Sequence, residues 1–319
     1  MTPQVMYLEI DDASDGQRVD NFLTKVLKGV PKAHIYRLIR SGEVRVNKKR
    51  VQADSRLAIG DLVRIPPVRV AQSQNDAQNV RVPAAEFPIL FEDEFFLAID
   101  KPAGVAVHGG SGVSFGVIEQ LRQARPNERM LELVHRLDKE TSGILLVAKK
   151  RSTLKQLQEQ FKQRTIDKKY LALVKGAWPK NLKVIDLPLY KYLLDNGERR
   201  VKVVPIEHEG AQRSVSLVEV LATQGSSVEE ESVSLLSVKI KTGRTHQIRV
   251  HLSHHRHPIA GDDKYGDFDW NKRLASQGLR RMYLHAYRLC FKHPEHATDM
   301  EIKSEIPTNL INWSLNYQI

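Results

Sequence analysis

The sequence of 319 residues contains one cysteine, Cys290, so no disulfide bond can form within a chain. Sparse cysteine is typical of proteins kept in a reducing compartment. No run approaches the ~18 apolar residues that a membrane-spanning helix needs. Residues 1–12 include acids and no apolar stretch, so they do not resemble a signal peptide. These absences predict a cytoplasmic protein that does not enter a membrane.

Acidic residues are in the minority, with 38 Asp and Glu against 49 Lys and Arg, and the formal net charge is +11. A basic balance suggests a polyanionic partner, although net charge alone is weak evidence for one. The 41% of hydrophobic and 27% of charged residues are ordinary for a globular protein with a sizeable core. The length allows about two domains.

Much of the positive charge is concentrated in residues 18–64, which hold twelve Lys and Arg but four Asp and Glu. Apolar residues at helical spacing on either side of Pro31 predict two helices, and Ser41-Gly42 would end the second. Alternating residues at 44–46 and 62–65 predict strands, with a turn at 47–49. This small basic module suggests nucleic-acid binding; a merely solvated basic face is the alternative.

A polar segment at 72–79 lacks aromatic residues and has the composition of a flexible linker. We therefore expect a small domain at 15–67, a linker at 68–84 and a second domain at 85–319.

In the second domain, a polar stretch at 135–143 lies between two apolar runs, 131–134 and 144–148, that predict buried strands. It contains five ionisable side chains, two hydroxyls and a glycine. Asp138 would thus be a carboxylate on a short, rigidly supported loop, where catalytic groups are often found. The alternative is a solvated turn that Asp138 caps through its own backbone.

The other elements of this domain follow from the same patterns. Residues 151–164 predict an amphipathic helix that starts with a capping box of Thr153 and Gln156. A strand at 168–174 would carry Tyr170, for which an ordinary core aromatic is one interpretation. The number and hairpin order of the remaining strands favour an α+β fold over a parallel doubly wound sheet.

Two further motifs suggest ligands only weakly. Gly109, Gly110 and Gly112 are not followed by the Gly-Lys-Ser/Thr of a phosphate-binding loop, so a close approach of the backbone to another chain or ligand is the better interpretation. Five histidines between 246 and 257 have no acid among them and do not reproduce the HExxH motif. They favour a basic helix facing RNA over a metal site.

The N-terminal pattern resembles the S4 RNA-binding domain at residues 18–23, 35–47 and 60–63. Contacts of this kind with the RNA backbone position a protein without reading the base sequence. The resemblance implies that they come from Lys32, Arg37, Arg40, Lys48 and Arg50.

The larger domain resembles the RluA-type pseudouridine synthases at residues 135–143, 169–172, 243–251, 258–262 and 284–286. The resemblance implies a long mixed, mostly antiparallel sheet with flanking helices. It also implies that uridine in RNA becomes its C-glycoside isomer without a cofactor or a metal. The expected partner is large-subunit (23S) ribosomal RNA or a pre-ribosomal particle, with several target sites possible, and the expected state is a monomer.

The resemblance also implies roles for single residues. Asp138 would act at the ribose as a nucleophile or as a stabiliser of positive charge, and Arg249 would pair with it and keep it ionised. Tyr170 would stack on the uracil and help to remove its C5 proton. Arg136 would fill the space left by the flipped base, and Leu284 would line the pocket. Further RNA contacts are expected from Arg244 and His246.

Two other classes of function stay open at this point. A non-catalytic RNA-binding or ribosome-assembly protein could retain a vestigial site, but intact Asp138, Tyr170 and Arg249 argue against it. A glycoside or nucleoside hydrolase would need a second carboxylate ~5–10 Å across the scissile bond. A hydrolase of small molecules would also have no use for the S4-like module.

Overall fold

The computed structural model describes residues 4–11, 14–27, 29–68, 82–109, 115–195, 197–225 and 232–313. The chain divides into Met1–Arg81, here called the N-terminal unit, and Val82–Ile319, here called the larger unit. The polar segment 72–79, Gly110, Gly112 and the acidic loop after Gly225 lie outside the described residues. In the parts of the chain that are described, no helix is long and apolar enough to cross a membrane.

The N-terminal unit has two helices and four short strands: β1 Met6–Glu9, α1 Val19–Val26, α2 Lys32–Arg40, β2 Arg45–Val46, β3 Lys49–Arg50 and β4 Leu62–Ile65. The strands form one antiparallel sheet in the order β1-β4-β2-β3. Both helices bury the apolar stripe that their spacing predicted, against the inward side chains of the sheet. Strand β1 was not predicted.

The β2–β3 hairpin differs in one detail from the expected turn at 47–49. Asn47 and Lys48 alone form the turn, both with positive φ (49° and 68°), and Lys49 already belongs to β3. Two residues with positive φ suit the right-handed twist of a hairpin, and the second position normally favours glycine. Lys48 therefore occupies a backbone conformation that side chains rarely adopt.

The larger unit contains twelve strands and five helices among its described residues. The strands of its main sheet are β5 Ile89–Glu92, β6 Phe96–Lys101, β7 Glu132–Leu133, β8 Ser142–Ala148, β9 Asp167–Lys175, β10 Val184–Asp186, β13 Val215–Gln224, β14 Val233–Ile240, β15 Leu284–Lys292 and β16 Asp299–Lys303. Strands β11 Leu189–Leu193 and β12 Arg199–Val203 form a separate hairpin. The helices are α3 Val117–Ala124, α4 Arg151–Gln163, α5 Gln247–His254, α6 Phe268–Ser276 and α7 Thr308–Ile311.

The main sheet follows the order β10-β13-β14-β9-β15-β8-β6-β5. In addition, β7 pairs with β8, and β16 pairs with β15. Among the described pairings, β15 with β8 is parallel and the others are antiparallel. The predicted α+β class with a mixed, mostly antiparallel sheet is therefore confirmed. Strand β8 is buried at every position because apolar clusters cover both faces of the sheet there.

Gly143 permits the parallel pairing of β8 with β15. Its φ is +109°, and a Cβ atom at this position would lie 2.3 Å from the carbonyl oxygen of Ala286 on β15. Any side chain here would push the two strands apart. The glycine thus lets β15, which begins at Leu284, approach the loop that precedes β8.

The predicted capping box of α4 is wrong. The N-cap is Lys150, which makes no capping hydrogen bond through its side chain, and Thr153 is buried with Leu154 and Leu157. Thr153 has the same helical phase as the buried stripe, so it faces the core instead of the helix terminus.

Candidate active site

A cavity of about 580 Å³ opens between the loop 135–141, here called the Asp138 loop, β9, the end of β14 and the start of α5. The seven site residues predicted in the larger unit all line it: Arg136, Asp138, Tyr170, Arg244, His246, Arg249 and Leu284. Segments that are far apart in the sequence therefore meet at one place, as the resemblance implied. The other five predicted residues, Lys32, Arg37, Arg40, Lys48 and Arg50, are exposed on the N-terminal unit.

The cavity is strongly cationic. Of the described residues that line it, Asp138 is the one carboxylate, beside seven basic side chains: Arg136, Lys162, Arg164, Lys168, Lys241, Arg244 and Arg249. A concave surface lined by charges of one sign focuses its field and concentrates ligands of the opposite sign. The cavity can thus draw in a phosphate backbone and present a single negative group to it.

Hydrogen bonds to its backbone anchor the Asp138 loop. The carbonyl of Lys139 accepts hydrogen bonds from the Gly104 N–H (2.9 Å) and from Nζ of Lys101 (3.1 Å). Lys101 is fully buried and also donates to two carbonyls of the loop 102–105. Burial lowers the pKa of Lys101 to about 7, and the three acceptors stabilise its charged form. With Asp138 only 21% exposed, this loop is not a freely solvated turn.

Arg249, on α5, is bound mainly to a carboxylate other than the expected one. Its Nε and Nη2 donate to both oxygens of Asp262 (2.8 and 2.6 Å), and Nη2 also donates to Asp263 (2.9 Å). The expected pairing with Asp138 is present as a 3.9 Å approach of Nη1 to Oδ2. Burial alone would raise the pKa of Asp262, but the hydrogen bonds and charge of Arg249 lower it. Asp262 therefore fixes the arginine that faces Asp138.

His246 precedes α5 with a left-handed φ of 52°. Its Nδ1 lies 2.8 Å from the hydroxyl of Tyr265, and that oxygen accepts the Val201 N–H (2.9 Å). When the Tyr265 hydroxyl donates to Nδ1, the neutral ring carries its proton on Nε2, which lies 3.9 Å from Oδ2 of Asp138. Burial lowers the pKa of His246, against the raising effect of Asp138. In this tautomer, neutral His246 presents an N–H toward the Asp138 carboxylate.

Tyr265 also packs against the arginine of the site, with its ring centroid 5.3 Å from Cζ of Arg249. Sequence reasoning missed Tyr265, Asp262 and Lys101. Asp262 lies within the quoted motif 258–262, so a carboxylate in that motif was the available signal. For Lys101 and Tyr265 no comparable signal was present.

Tyr170 and Leu284 form the apolar wall of the cavity. They lie on the adjacent strands β9 and β15, where Tyr170 pairs with Ala286 and Leu284 with Ala172. Burial, and to a lesser extent the charge of Asp138, raises the pKa of Tyr170, so the side chain stays a neutral phenol. A flat ring of this kind can stack on a planar base. Tyr170 belongs to the core and also lines the cavity, so the two interpretations of this residue do not exclude each other.

Among the residues that the structure describes, no carboxylate other than Asp138 lines this cavity. Glu140 lines a second cavity, which it shares with Lys101 and Arg281. Within the described ranges, no three His, Cys, Asp or Glu side chains are arranged to hold a metal ion.

Comparisons with known proteins agree with this geometry. A family described as RNA pseudouridylate synthase matches residues 95–254, and the S4 domain matches residues 17–63. The chain is 49% identical over 308 residues to the ribosomal large subunit pseudouridine synthase C of Haemophilus influenzae, covering 95% of this chain and 92% of that protein. It is 48% identical over 313 residues to the protein of the same name from Yersinia pestis, covering 97% and 94%. The solved structure of human RNA Pseudouridylate Synthase Domain Containing 4 superposes with a TM-score of 0.56 at 28% identity, over 73% of this chain and 94% of that one.

Proposed function

Because the chain belongs to the RNA pseudouridylate synthase family, we propose that it isomerises specific uridines of large-subunit ribosomal RNA to pseudouridine. The choice of RNA rests on the relatives, whose name specifies the large ribosomal subunit. The observation that carries the proposal is the cationic cavity, in which Asp138 is the one carboxylate among the described lining residues.

Asp138 would act on the ribose of the target nucleotide. Breaking the bond between N1 of uracil and C1′ leaves C1′ electron-poor, and a carboxylate beside it serves as a nucleophile or as an electrostatic stabiliser. The freed uracil turns and bonds C1′ through C5; the C5 proton leaves to water and N1 takes up a proton. The step is an isomerisation and needs no oxidant, reductant or energy source.

The isolation of Asp138 argues against the hydrolase alternative. Hydrolysis of a glycosidic bond normally uses a second carboxylate at ~5–10 Å to protonate the leaving group or to activate water. Asp262 and Asp263 are hydrogen-bonded to Arg249, and Glu140 lines a different cavity.

Tyr170 and Arg136 would handle the base. We assign to Tyr170 the stacking on uracil, because a neutral phenol offers a flat face but is a poor proton acceptor. Exposed Arg136, at the rim of the cavity, would fill the gap that the extruded nucleotide leaves in the RNA stack. Extrusion costs a few kcal/mol, which contacts of this kind offset.

The N-terminal unit would add RNA affinity through exposed basic side chains, in line with its match to the S4 domain. The substrate would be free ribosomal RNA or a pre-ribosomal particle. The enzyme would act on it as a monomer in the cytoplasm. The five side chains proposed to contact phosphates are Lys32, Arg37, Arg40, Lys48 and Arg50.

The proposal is tested by incubating an unmodified transcript of large-subunit ribosomal RNA with the protein and mapping pseudouridine at each nucleotide. We expect one or a few uridines to be converted, with a small-subunit transcript left unmodified as the control. Pre-ribosomal particles from cells that lack the protein provide the second substrate. If neither the transcript nor the particles gain pseudouridine, the proposal is wrong.

A further inference from the structure

Four side chains form a continuous row across the sheet of the N-terminal unit. Tyr7 on β1 lies opposite Arg64 on β4, Arg64 lies opposite Arg45 on β2, and Arg45 lies opposite Arg50 on β3. Directly opposed residues of an antiparallel sheet point to the same face. Tyr7, Arg64, Arg45 and Arg50, here called the arginine row, therefore cross all four strands, over roughly 14 Å at the usual strand spacing.

The arginine row lies on the outer face of the sheet. Along β4, Val63 and Ile65 are buried while Arg64 is only half-buried, so the alternation points the row away from the core. Tyr7 is 60% exposed, and both Arg45 and Arg50 are exposed. The row therefore contributes little to the packing of this unit.

The charges of the row are not neutralised within the unit. Among the described residues, no ion pair includes Arg45, Arg50 or Arg64. Arg45 and Arg64 instead donate to backbone carbonyls of Gly42 (3.2 Å) and Glu43 (2.6 Å). These bonds orient two guanidinium groups without cancelling their charge.

Such an arrangement is unfavourable for the unit alone, because like charges directly opposite each other destabilise a sheet. It becomes favourable when a polyanion lies across the strands. Among the described strand residues, the same face carries one acid, Glu9, which lies two residues from Tyr7 along β1 and pairs with Leu62.

The exposed ring of Tyr7, at the end of the row, indicates which kind of polyanion would bind there. Single-stranded RNA is bound by basic grooves that also offer aromatic rings for its bases to stack on. The bases of an A-form duplex are stacked on each other and cannot use such a ring. We propose that the arginine row binds single-stranded RNA, with Tyr7 stacking on an unpaired base and the three arginines contacting neighbouring phosphates.

This proposal deepens the proposed function, on which its choice of RNA rests, and it adds a face distinct from α2. Of the contacts implied by the S4 resemblance, only Arg50 belongs to the row. The occupant would be an unpaired segment of the ribosomal RNA outside the catalytic cavity.

The test uses the full-length protein and a fluorescent oligoadenylate, which contains no uridine for the catalytic cavity, next to an RNA duplex of equal length. Fluorescence anisotropy gives the dissociation constant of each at several salt concentrations. We expect Tyr7→Ala to weaken oligoadenylate binding by roughly 5- to 150-fold, the usual range for loss of one stacked base. The triple variant Arg45→Gln, Arg50→Gln, Arg64→Gln should flatten the plot of log affinity against log salt by about 2, at ~0.7 per phosphate contact.

Three controls separate this effect from general electrostatics and from misfolding. Lys25→Gln, at an exposed position on α1, should change oligoadenylate binding much less than the row variants do. Glu9→Gln should tighten binding, because it removes the acid on this face. The triple variant should melt at or above the wild-type temperature, since its like-charge pairs are gone; Tyr7→Ala remains as the test if the triple variant does not fold.

The outcomes are distinguishable. Unchanged oligoadenylate binding by Tyr7→Ala and by the triple variant would overturn the proposal, and so would an equal loss of duplex binding. Pseudouridine formation by the wild-type protein is measured separately, on a short uridine-containing RNA. If the wild-type protein forms no pseudouridine but the row still binds oligoadenylate, the proposed function fails and the arginine row stands.

Discussion

The substitution Arg249→Met removes a buried cation and leaves its partner behind. The side chains of Arg249 and Asp262 are 3% and 1% exposed, so the remaining carboxylate would have no access to water. Methionine fills much of the volume of arginine, so the cavity left is small. Breaking a buried ion pair in this way typically costs about 3–5 kcal/mol. We expect the larger unit to lose that much free energy of unfolding, and turnover to be lost as well.

A double variant identifies the cause of the loss. In Arg249→Met with Asp262→Asn, the residue at 262 is neutral, and its oxygen can still accept the backbone N–H groups of Lys264 (2.8 Å) and Tyr265 (3.0 Å). The double variant should therefore regain roughly 2 kcal/mol relative to Arg249→Met, a coupling typical of residues in contact. Activity should not return, because Asp138 still lacks its neighbouring cation.

Urea unfolding followed by tryptophan fluorescence measures these differences. Trp178, Trp270 and Trp313 are the three tryptophans of the chain, and all lie in the larger unit, so the signal does not report on the N-terminal unit. If Arg249→Met unfolds at the wild-type urea concentration, the pair with Asp262 does not stabilise the fold. If the double variant is no more stable than the single one, the buried charge is not the cause. Wild-type turnover by Arg249→Met would remove this residue from the site.

Three further predictions concern single groups. Tyr265→Phe should lower the single-turnover rate about tenfold, the effect expected from the loss of one hydrogen bond. When combined with His246→Ala it should lower the rate no further, because the Tyr265 hydroxyl acts through the His246 ring. The free energy of unfolding should fall as the pH drops from 6.5 to about 4, because burial lowers the pKa of His251 and His285 to about 4. At these two histidines, only the unfolded chain takes up protons in that pH range. Urea unfolding at each pH should show a loss of stability on the order of 3 kcal/mol per histidine. Lys48→Gly should relieve the left-handed turn and stabilise the N-terminal unit by about 1 kcal/mol, visible as slower hydrogen exchange in β2 and β3, while RNA affinity falls. Equal stability of the two forms would mean that the turn carries no strain.

Local patterns in the sequence predicted most of the helices and strands, since burial follows the periodicity of apolar residues. They did not predict the β11–β12 hairpin, whose strands carry more charged and tyrosine side chains than aliphatic ones and bury few of them. The prediction of a capping box in α4 was wrong because a threonine with a glutamine three positions later fits a helix start and a buried stripe equally well. Only the phase of Thr153 relative to Leu154 and Leu157 decides between them.

The sequence predicted which residues line the candidate site, but not which of them bind each other. The seven predicted residues that line the cavity follow from motif resemblance, and Asp138 stands out in the sequence because it is a carboxylate between two apolar runs. Which carboxylate binds Arg249 depends on how α5 meets the segment 258–265, and that is a property of tertiary packing. The same holds for Lys101, which reaches Lys139 across 38 positions of the sequence.

Tritium release tests the central claim most directly, namely that Asp138 acts at the ribose of a uridine that becomes pseudouridine. Ribosomal RNA carrying tritium at C5 of its uridines is incubated with wild-type protein and with Asp138→Asn, which keeps the shape of the side chain but removes its charge. The wild type should release tritium to water without free uracil, whereas the variant should fold, bind RNA and release none. Tritium release by a well-folded Asp138→Asn, or free uracil from the wild type, would contradict this account.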